Sequence, residues 1–248
     1  MIEIENLEHR YPDGVAALRG VSLTIADGEF IMICGPNGSG KTTLIRHING
    51  LLLPSAGVVR VNGLDTVKEN RKVRREVGMV FQDADSQIVG ETVEEDVAFG
   101  PENMGLSPAE VAERTATALK AVGLRHLADK SCHLLSGGER RRLAIAGVLA
   151  MRPRIILLDE PFANLDYAGV RQTLQQLINL HREGHTLLVT THDVEKLIAH
   201  ADRIVVMQEG ELKASGAPET VLGDLPSYGI RPPCYALLGG RALSWLTD

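Results

Sequence analysis

Cysteine is scarce. There are three in 248 residues, Cys34, Cys132 and Cys234, and they stand far apart. No pair has metal-ligand spacing. An odd, sparse set argues against a disulfide framework and for a reducing compartment. An excess of positive charge is also missing: Lys and Arg number 26 against 32 Asp and Glu, a formal net charge of −6. That balance lacks the footprint of a nucleic-acid binder, so no nucleic-acid partner is expected. Apolar runs such as Ile155 to Leu158 are short, and none approaches the roughly 18 residues that span a bilayer. Work at a membrane would need another chain as anchor. Met1-Ile2-Glu3-Ile4 has no basic segment leading into an apolar one, so no signal peptide is expected. Heptad tracts, internal repeats and low-complexity segments are absent as well.

What is present describes a globular protein. Hydrophobic residues make up 44% and charged residues 23%, which argues against disorder. At about 150 residues per domain the length allows one or two domains. A chain of this size hides roughly 70–75% of its unfolded surface on folding. The first third reads as strands and turns. Ile2-Glu3-Ile4-Glu5 and Val21-Ser22-Leu23-Thr24-Ile25 alternate apolar and polar, as half-buried strands do. Asp27-Gly28 and Asn62-Gly63 carry hairpin-type turn signals. Phe30 to Cys34 is apolar throughout, like a central strand covered on both faces. Val58 to Val61 and Val77 to Phe81 read as further strands.

From about Asp83 to Arg152 the texture turns helical. Thr92-Val93-Glu94-Glu95 and Ser107-Pro108-Ala109-Glu110 both have capping-box spacing, the second with Pro at the first helical position. Val111, Thr115, Ala118, Leu119 and Val122 then recur at helical spacing, and Gly123 is a stop signal. Strand signals return at Ile155 to Leu158 and Thr186 to Thr190, separated by a helix-compatible stretch, Gly169 to Glu183. That β–α–β order implies a parallel sheet with right-handed crossovers. Arg203 to Met207 is another strand, and Glu209-Gly210 turns it towards Leu212 and Ala214. After Gly216 the chain is richer in Gly and Pro.

Chemistry concentrates at Gly35-Pro36-Asn37-Gly38-Ser39-Gly40-Lys41-Thr42, a full G-x-x-x-x-G-K-[ST] phosphate loop. It follows an apolar strand and precedes a plausible helix, Thr43 to Asn49. The glycines let the backbone curl so that N–H groups face phosphate oxygens, and the helix N-terminus adds partial positive charge. Lys41 would reach the β and γ phosphates, and the Thr42 hydroxyl would ligate Mg²⁺. Asp159, at the end of the Ile155–Leu158 strand, can hold the metal directly or through water. Glu160 follows it, where a carboxylate could polarise an attacking water. Taken alone, Asp159-Glu160 would equally suit a helix N-cap or a solvated loop.

Leu135-Ser136-Gly137-Gly138-Glu139 adds a second anion-site pattern, a Gly-rich helix start with capping-box spacing before Arg140 to Met151. With it the chain resembles the nucleotide-binding subunits of ATP-binding-cassette transporters, whose signature is LSGGQ; position 139 is Glu instead of Gln. The resemblance runs from Tyr11 to about Gly216 through Tyr11, the phosphate loop, Gln82, the signature, Asp159-Glu160, Asn164-Leu165-Asp166 and His192, in the family's order. A narrower resemblance, to the energy-coupling-factor and cobalt/nickel-import branch, rests on Asp83-Ala84-Asp85-Ser86-Gln87 and on Thr92 to Asn103. That branch usually has Pro near position 84.

The resemblance implies an α/β fold. Its P-loop NTPase (RecA-like) core with a mixed sheet would span 1–82 and 153–216, including an N-terminal antiparallel β subdomain. A helical subdomain would be inserted at 83–152, and 217–248 would form a C-terminal extension. It also implies ATP and Mg²⁺ as ligands, with Tyr11 on the adenine and Gly35 to Thr43 around the phosphates. Thr42, Gln82 and Asp159 would lie at the metal, and Glu160, His192, Gln82 and Lys41 would act in hydrolysis. Leu135 to Glu139 would contact ATP held by a second, identical or paralogous cassette, with Asp166 at the interface between them. Integral membrane subunits would dock near Gln82, with the chain peripheral on the cytoplasmic face. The implied activity is ATP hydrolysis that powers import of a micronutrient, a cobalt or nickel ion or a vitamin.

The rival reading is a soluble cassette in DNA repair or translation. Repair relatives carry long coiled coils and translation relatives usually join two cassettes, and this chain has neither feature. A nucleotide kinase would have no use for Leu135–Glu139. Arg140-Arg141-Arg142 reads as a solvated helix face. Leu237, Leu238, Trp245 and Leu246 could pack across a dimer or on their own subunit.

Overall fold

The computed structural model describes residues 1–238, 240 and 244–246; the remainder of the 217–248 extension lies outside the described residues. Among the described residues ten strands and eight α-helices follow in order. First come β1 (Ile2–Arg10), β2 (Ala16–Ile25), β3 (Phe30–Cys34), α1 (Lys41–Ile48), β4 (Ala56–Val61), β5 (Leu64–Asp65), α2 (Asn70–Glu76) and β6 (Val77–Val80). Three helices follow, α3 (Val93–Asn103), α4 (Pro108–Ala121) and α5 (Gly137–Ala150). The chain then runs through β7 (Ile155–Asp159), α6 (Tyr167–Arg182), β8 (Thr186–Thr191), β9 (Arg203–Gln208), β10 (Glu211–Gly216), α7 (Pro218–Val221) and α8 (Cys234–Leu237).

The strands form two sheets. Antiparallel β2-β1-β4-β5 stands apart from the six-stranded β10-β9-β3-β8-β7-β6, in which only β10 runs antiparallel. The large sheet is buried on both faces, and its strands divide by parity between two cores. Phe30, Met32, Ile156, Leu158, Leu187, Val189, Ile204 and Val206 enter the core beneath α5 and α6. Ile31, Ile33, Ile155, Leu157, Leu188, Val205 and Met207 enter the other, which they share with α1 and the smaller sheet. Two covered faces explain why these strands read as unbroken apolar runs without polar alternation. The small sheet keeps alternation in β1, where Ile2, Ile4, Leu7 and His9 are buried and Glu5 and Glu8 are exposed.

Helices α3, α4 and α5 pack on one another between β6 and β7. Thr92, Ser107 and Ser136 each close a capping box with the Glu three residues on. The Ser136 box starts α5 at Gly137, three residues before the stretch expected from Arg140. For the same reason α6 starts at Tyr167: the Asp166 side chain accepts from the Gly169 amide at 2.7 Å. The phosphate-loop helix starts at Lys41, two residues early. Sequence patterning missed α2, whose only buried residue is Val73. Asn62-Gly63 is a hairpin turn with positive φ at both residues, joining paired β4 and β5. Asp27-Gly28 is not one: it carries the chain from β2 in one sheet to β3 in the other. In the tail, Tyr235, Trp245 and Leu246 pack against the core of their own chain. Leu237 and Leu238 are exposed.

The joint between β6 and α5 is tight. A Cβ on Gly78 would lie 2.3 Å from Val148 Cγ1 and 3.0 Å from Pro153 Cγ. Both neighbours are stiff, so Gly78→Val should cost about 1–3 kcal/mol through overpacking. Urea unfolding reads that loss, and an unchanged midpoint would mean that β6 and α5 can separate freely.

Candidate active site

Four neighbouring parallel strands, β3, β8, β7 and β6, end at one edge of the large sheet, and the candidate residues follow those ends. Binding at the carboxyl ends of such strands is the general habit of open α/β sheets. Beyond β3 the phosphate loop wedges against its own protein. A Cβ on Gly35 would lie 2.1 Å from the Met207 carbonyl oxygen, and one on Gly40, at φ +100°, 2.7 Å from that of Ala17. Only glycine lets backbone approach backbone that closely. Lys41 is buried, and its Nζ donates to the carbonyls of Gly35 and Pro36 at 2.8 and 3.0 Å. Burial lowers its pKa, opposed by the Glu160 and Asp159 carboxylates. The Ser39 hydroxyl is buried in the loop without a hydrogen-bond partner, as fits a cradle built for the oxygens of an anion.

Asp159 ends β7 and is 2% exposed. Its Oδ1 accepts from two hydroxyls, Thr42 at 2.9 Å and Thr190 at 2.6 Å. Thr190 also accepts from the Glu160 amide at 3.1 Å. Glu160 adopts a left-handed φ of +46°, uncommon for a residue with a side chain. That turn aims its carboxylate at His192, whose Nδ1 lies 3.0 Å from Glu160 Oε1. A hydroxyl, a buried carboxylate and the nearby Gln82 amide are hard oxygen donors, the set that suits Mg²⁺. Among the described residues no three His, Cys, Asp or Glu side chains gather as a metal cluster. The donors thus fit a cation held mainly by phosphate and water.

A cleft of about 450 Å³ collects Tyr11, Asn37 to Thr43, Gln82, Glu160 and His192. Tyr11 is half-buried at its mouth, with its hydroxyl 3.1 Å from Thr43 Oγ1 and its ring edge-on to His9 at 4.6 Å. An adjoining cleft of about 740 Å³ lies between Thr42, Gln82, Asp159 and the start of α5, where Gly137 lines it.

The signature residues do not enter the first cleft. Ser136 caps α5, and its amide donates to the Glu139 carboxylate at 2.7 Å. That bond holds the Glu139 carboxyl below the usual carboxylate range. Leu135 is buried in the core, whereas Ser136 and Gly137 are exposed. A Cβ on Gly137 would meet nothing within 4 Å, and one on Gly138 only Arg142 Nη1 at 3.9 Å. Nothing inside the chain requires glycine at either position. Asp166 serves its own helix as N-cap and lines neither cleft, although Asn164 and Leu165 just before it line the larger one.

The basic run departs from expectation. Arg141 is 4% exposed and donates to the carbonyls of Phe81 and Gln82 at 2.7 and 2.6 Å. Arg140 Nε lies 2.6 Å from Asp85 Oδ1, and Arg142 bonds Gln172. Three successive arginines on a helix point in different directions, so one of them had to face the core side. Thr190 was also missed, although a hydroxyl closing an apolar strand was a usable signal.

Comparison with known proteins gives concordant results. The family model described as "ABC transporter" matches residues 18–163. The energy-coupling factor transporter ATP-binding protein EcfA of Methanocaldococcus jannaschii is 44% identical over 229 residues, 91% of this chain and 82% of that protein. The cobalt import ATP-binding protein CbiO of Rhodobacter capsulatus is 47% identical over 239 residues, 94% of this chain and 85% of that one. Among solved structures, the ATP-binding cassette MJ0796, in a dimeric post-hydrolysis state bound to ADP and Pi, superposes with a TM-score of 0.79. It is 33% identical, with 88% of this chain and 99% of that one covered.

Thr190 offers a direct test of the strand-end geometry. Thr190→Val keeps the shape of a buried strand residue but removes the hydroxyl that donates to Asp159, while the Glu160 amide keeps its bond to the Thr190 carbonyl. Mg²⁺-dependent ATP turnover should fall about 10-fold, on the scale of one hydrogen bond to a charged group. Nucleotide affinity should change less than about twofold, because the phosphate loop is untouched. Unaltered turnover in steady-state assays would remove this hydroxyl from the site.

Proposed function

This chain belongs to the ABC transporter family of ATPases, and from that premise we propose that it is the nucleotide-binding subunit of a membrane importer of the energy-coupling-factor or cobalt-import type. Its working form is a head-to-tail pair with a second cassette, identical or paralogous, and two ATP molecules between them. One observation carries the pairing. The phosphate loop, Glu160, Gln82 and His192 line one cleft, which the amide-bearing start of α5 does not enter; Gly137 lines only the adjoining cleft with Asp159, and both glycines are open to whatever approaches. The capping box takes up the Ser136 and Glu139 amides, and the first amides of a helix have no partner within it, so those of Gly137 and Gly138 offer an anion site. In a head-to-tail pair it meets the γ-phosphate held by the other copy.

The chemistry follows from the distances. Loop N–H groups and Lys41 bind the β and γ phosphates, with Lys41 exchanging its carbonyl partners for phosphate oxygens. Tyr11 offers a ring face for adenine. Thr42, Asp159 and Gln82 would hold Mg²⁺, which would neutralise charge on the transferring phosphoryl group. Glu160 orients the attacking water and accepts its proton, and its bond to His192 fixes the angle at which it does so. His192, exposed in the lone chain and paired with Glu160, contacts the γ-phosphate and the attacking water. Asp166, at the start of α6, lies on the face offered to the second cassette. Hydrolysis removes the phosphate that joins the halves, and their opening is the mechanical output.

That output passes to membrane subunits. A groove of about 730 Å³ beside the Gln82 loop is lined by Arg71, Arg74, Arg75, Val89, Phe99 and Met104. Val89 and Phe99 are 61% and 52% exposed. Large apolar side chains left open beside cations suit an amphipathic partner helix. No helix among the described residues is long and apolar enough to cross a membrane, in keeping with a peripheral subunit on the cytoplasmic face. The CbiO relative is named a cobalt import protein, which supports a cobalt ion as cargo; a nickel ion or a vitamin belongs to the wider micronutrient reading.

Glu160→Gln should slow hydrolysis by roughly 10²-fold or more while ATP binding, followed by fluorescence titration, is retained. Near-normal turnover would take Glu160 out of the chemistry. In the Glu160→Gln background ATP should drive stable dimers, and adding Ser136→Arg should abolish them on gel filtration while each chain still binds nucleotide. Dimers that persist would contradict the pairing.

A further inference from the structure

The loop that carries Gln82 is held by its backbone at several points, while its functional side chain is left free. On the strand side, Gln87 folds back along β6: its Oε1 accepts from the Phe81 amide at 3.0 Å, and its Nε2 donates to the Met79 carbonyl at 3.2 Å. On the other side the grip comes from the signature helix. Arg141, one turn into α5, spans the two successive carbonyls of Phe81 and Gln82, and Arg140 pairs with Asp85 further along. Arg141 is buried, and a guanidinium is a planar fork with five donors. Its two bonds fix both the position and the tilt of the peptide that bears Gln82. Around it stand Asp83, Asp85 and Asp159, whose negative charge offsets the cost of burial.

We propose that Arg141 is a positioning residue for ATP hydrolysis: it sets where the Gln82 side chain stands and ties that setting to the position of α5. The proposal rests on the reading that Gln82 acts at the metal or the water. The same helix presents Gly137 and Gly138 at its exposed end. Any displacement of α5 when the glycines engage phosphate is therefore delivered through about one helical turn to the Gln82 backbone. Two carbonyls on one rigid fork have little freedom to lag behind. Gln82 moves with the signature helix, so a site closed by a second copy and a site still open differ in where that amide points. A lysine at 141 would keep the charge but offer a single point of attachment, losing the tilt.

A mutant cycle separates positioning from mere support of the fold. ATP hydrolysis by the full chain with Mg²⁺ is measured for the parent, Arg141→Met, Gln82→Ala and the double variant, with kcat and KM resolved. Arg141→Met should lower kcat about 10-fold with KM within about twofold, and should change kcat less than about twofold once Gln82 is Ala. Arg141→Lys should lie between parent and Arg141→Met, and it carries the same cycle if Arg141→Met fails to fold. If the arginine substitution has its full effect on top of Gln82→Ala, or raises KM alone, the positioning role is overturned while the role of Gln82 stands. If Gln82→Ala by itself turns over ATP at the parental rate, the reading of Gln82 fails and the proposal fails with it.

Discussion

The large sheet is covered on both faces, and this constraint governs where chemistry can reside. Side chains of β3, β7, β8 and β9 alternate between two apolar cores, so a charged group along any of them would be buried without water. Polar function is driven to the strand ends. There Asp159 remains 2% exposed and accepts from two hydroxyls, one from the phosphate-loop helix and one from β8. That single carboxylate cross-links three elements and gives the site its common origin. Glu160 then falls within hydrogen-bond range of both the Thr190 hydroxyl and His192 because β7 and β8 are neighbours in the sheet.

The chain held much of this in legible form. Continuous apolar runs gave the central strands, since two covered faces leave no polar alternation to detect. Capping boxes at Thr92, Ser107 and Ser136 were readable because the residues that close them are three apart in sequence and depend on nothing distant. Boundaries judged from periodicity alone came late by two or three residues at α1, α5 and α6, where an N-cap or glycine outranks the apolar pattern. What stayed hidden was long-range. Arg141 sits in a basic run that looks solvated, yet its partners are about 60 residues upstream. Asp27-Gly28 has hairpin chemistry, but tertiary layering sends its flanking strands to different sheets. Helix α2 lacks an apolar face beyond Val73 and had no periodic signal to offer.

The glycines of the phosphate loop and of the signature segment differ in kind. Gly35 and Gly40 are required by backbone packed against them within the same chain. Gly137 and Gly138 have open space in front of them. A glycine that its own fold does not need costs chain entropy without return inside the molecule, and this asymmetry is the physical basis for reading one chain as half of a site. On the proposed pairing α5 has two tasks: its first turn would meet a partner's phosphate, and its second turn holds the loop of Gln82. Signal and response would then be separated by one helical turn.

The central claim is that a single chain is catalytically incomplete. Specific ATPase activity measured across serial dilution, with molar mass followed by light scattering on the same samples, tests it most directly. The account predicts that activity per chain tracks the paired fraction and vanishes where the chain is monomeric. Constant activity per chain at concentrations where only monomer is present would contradict it.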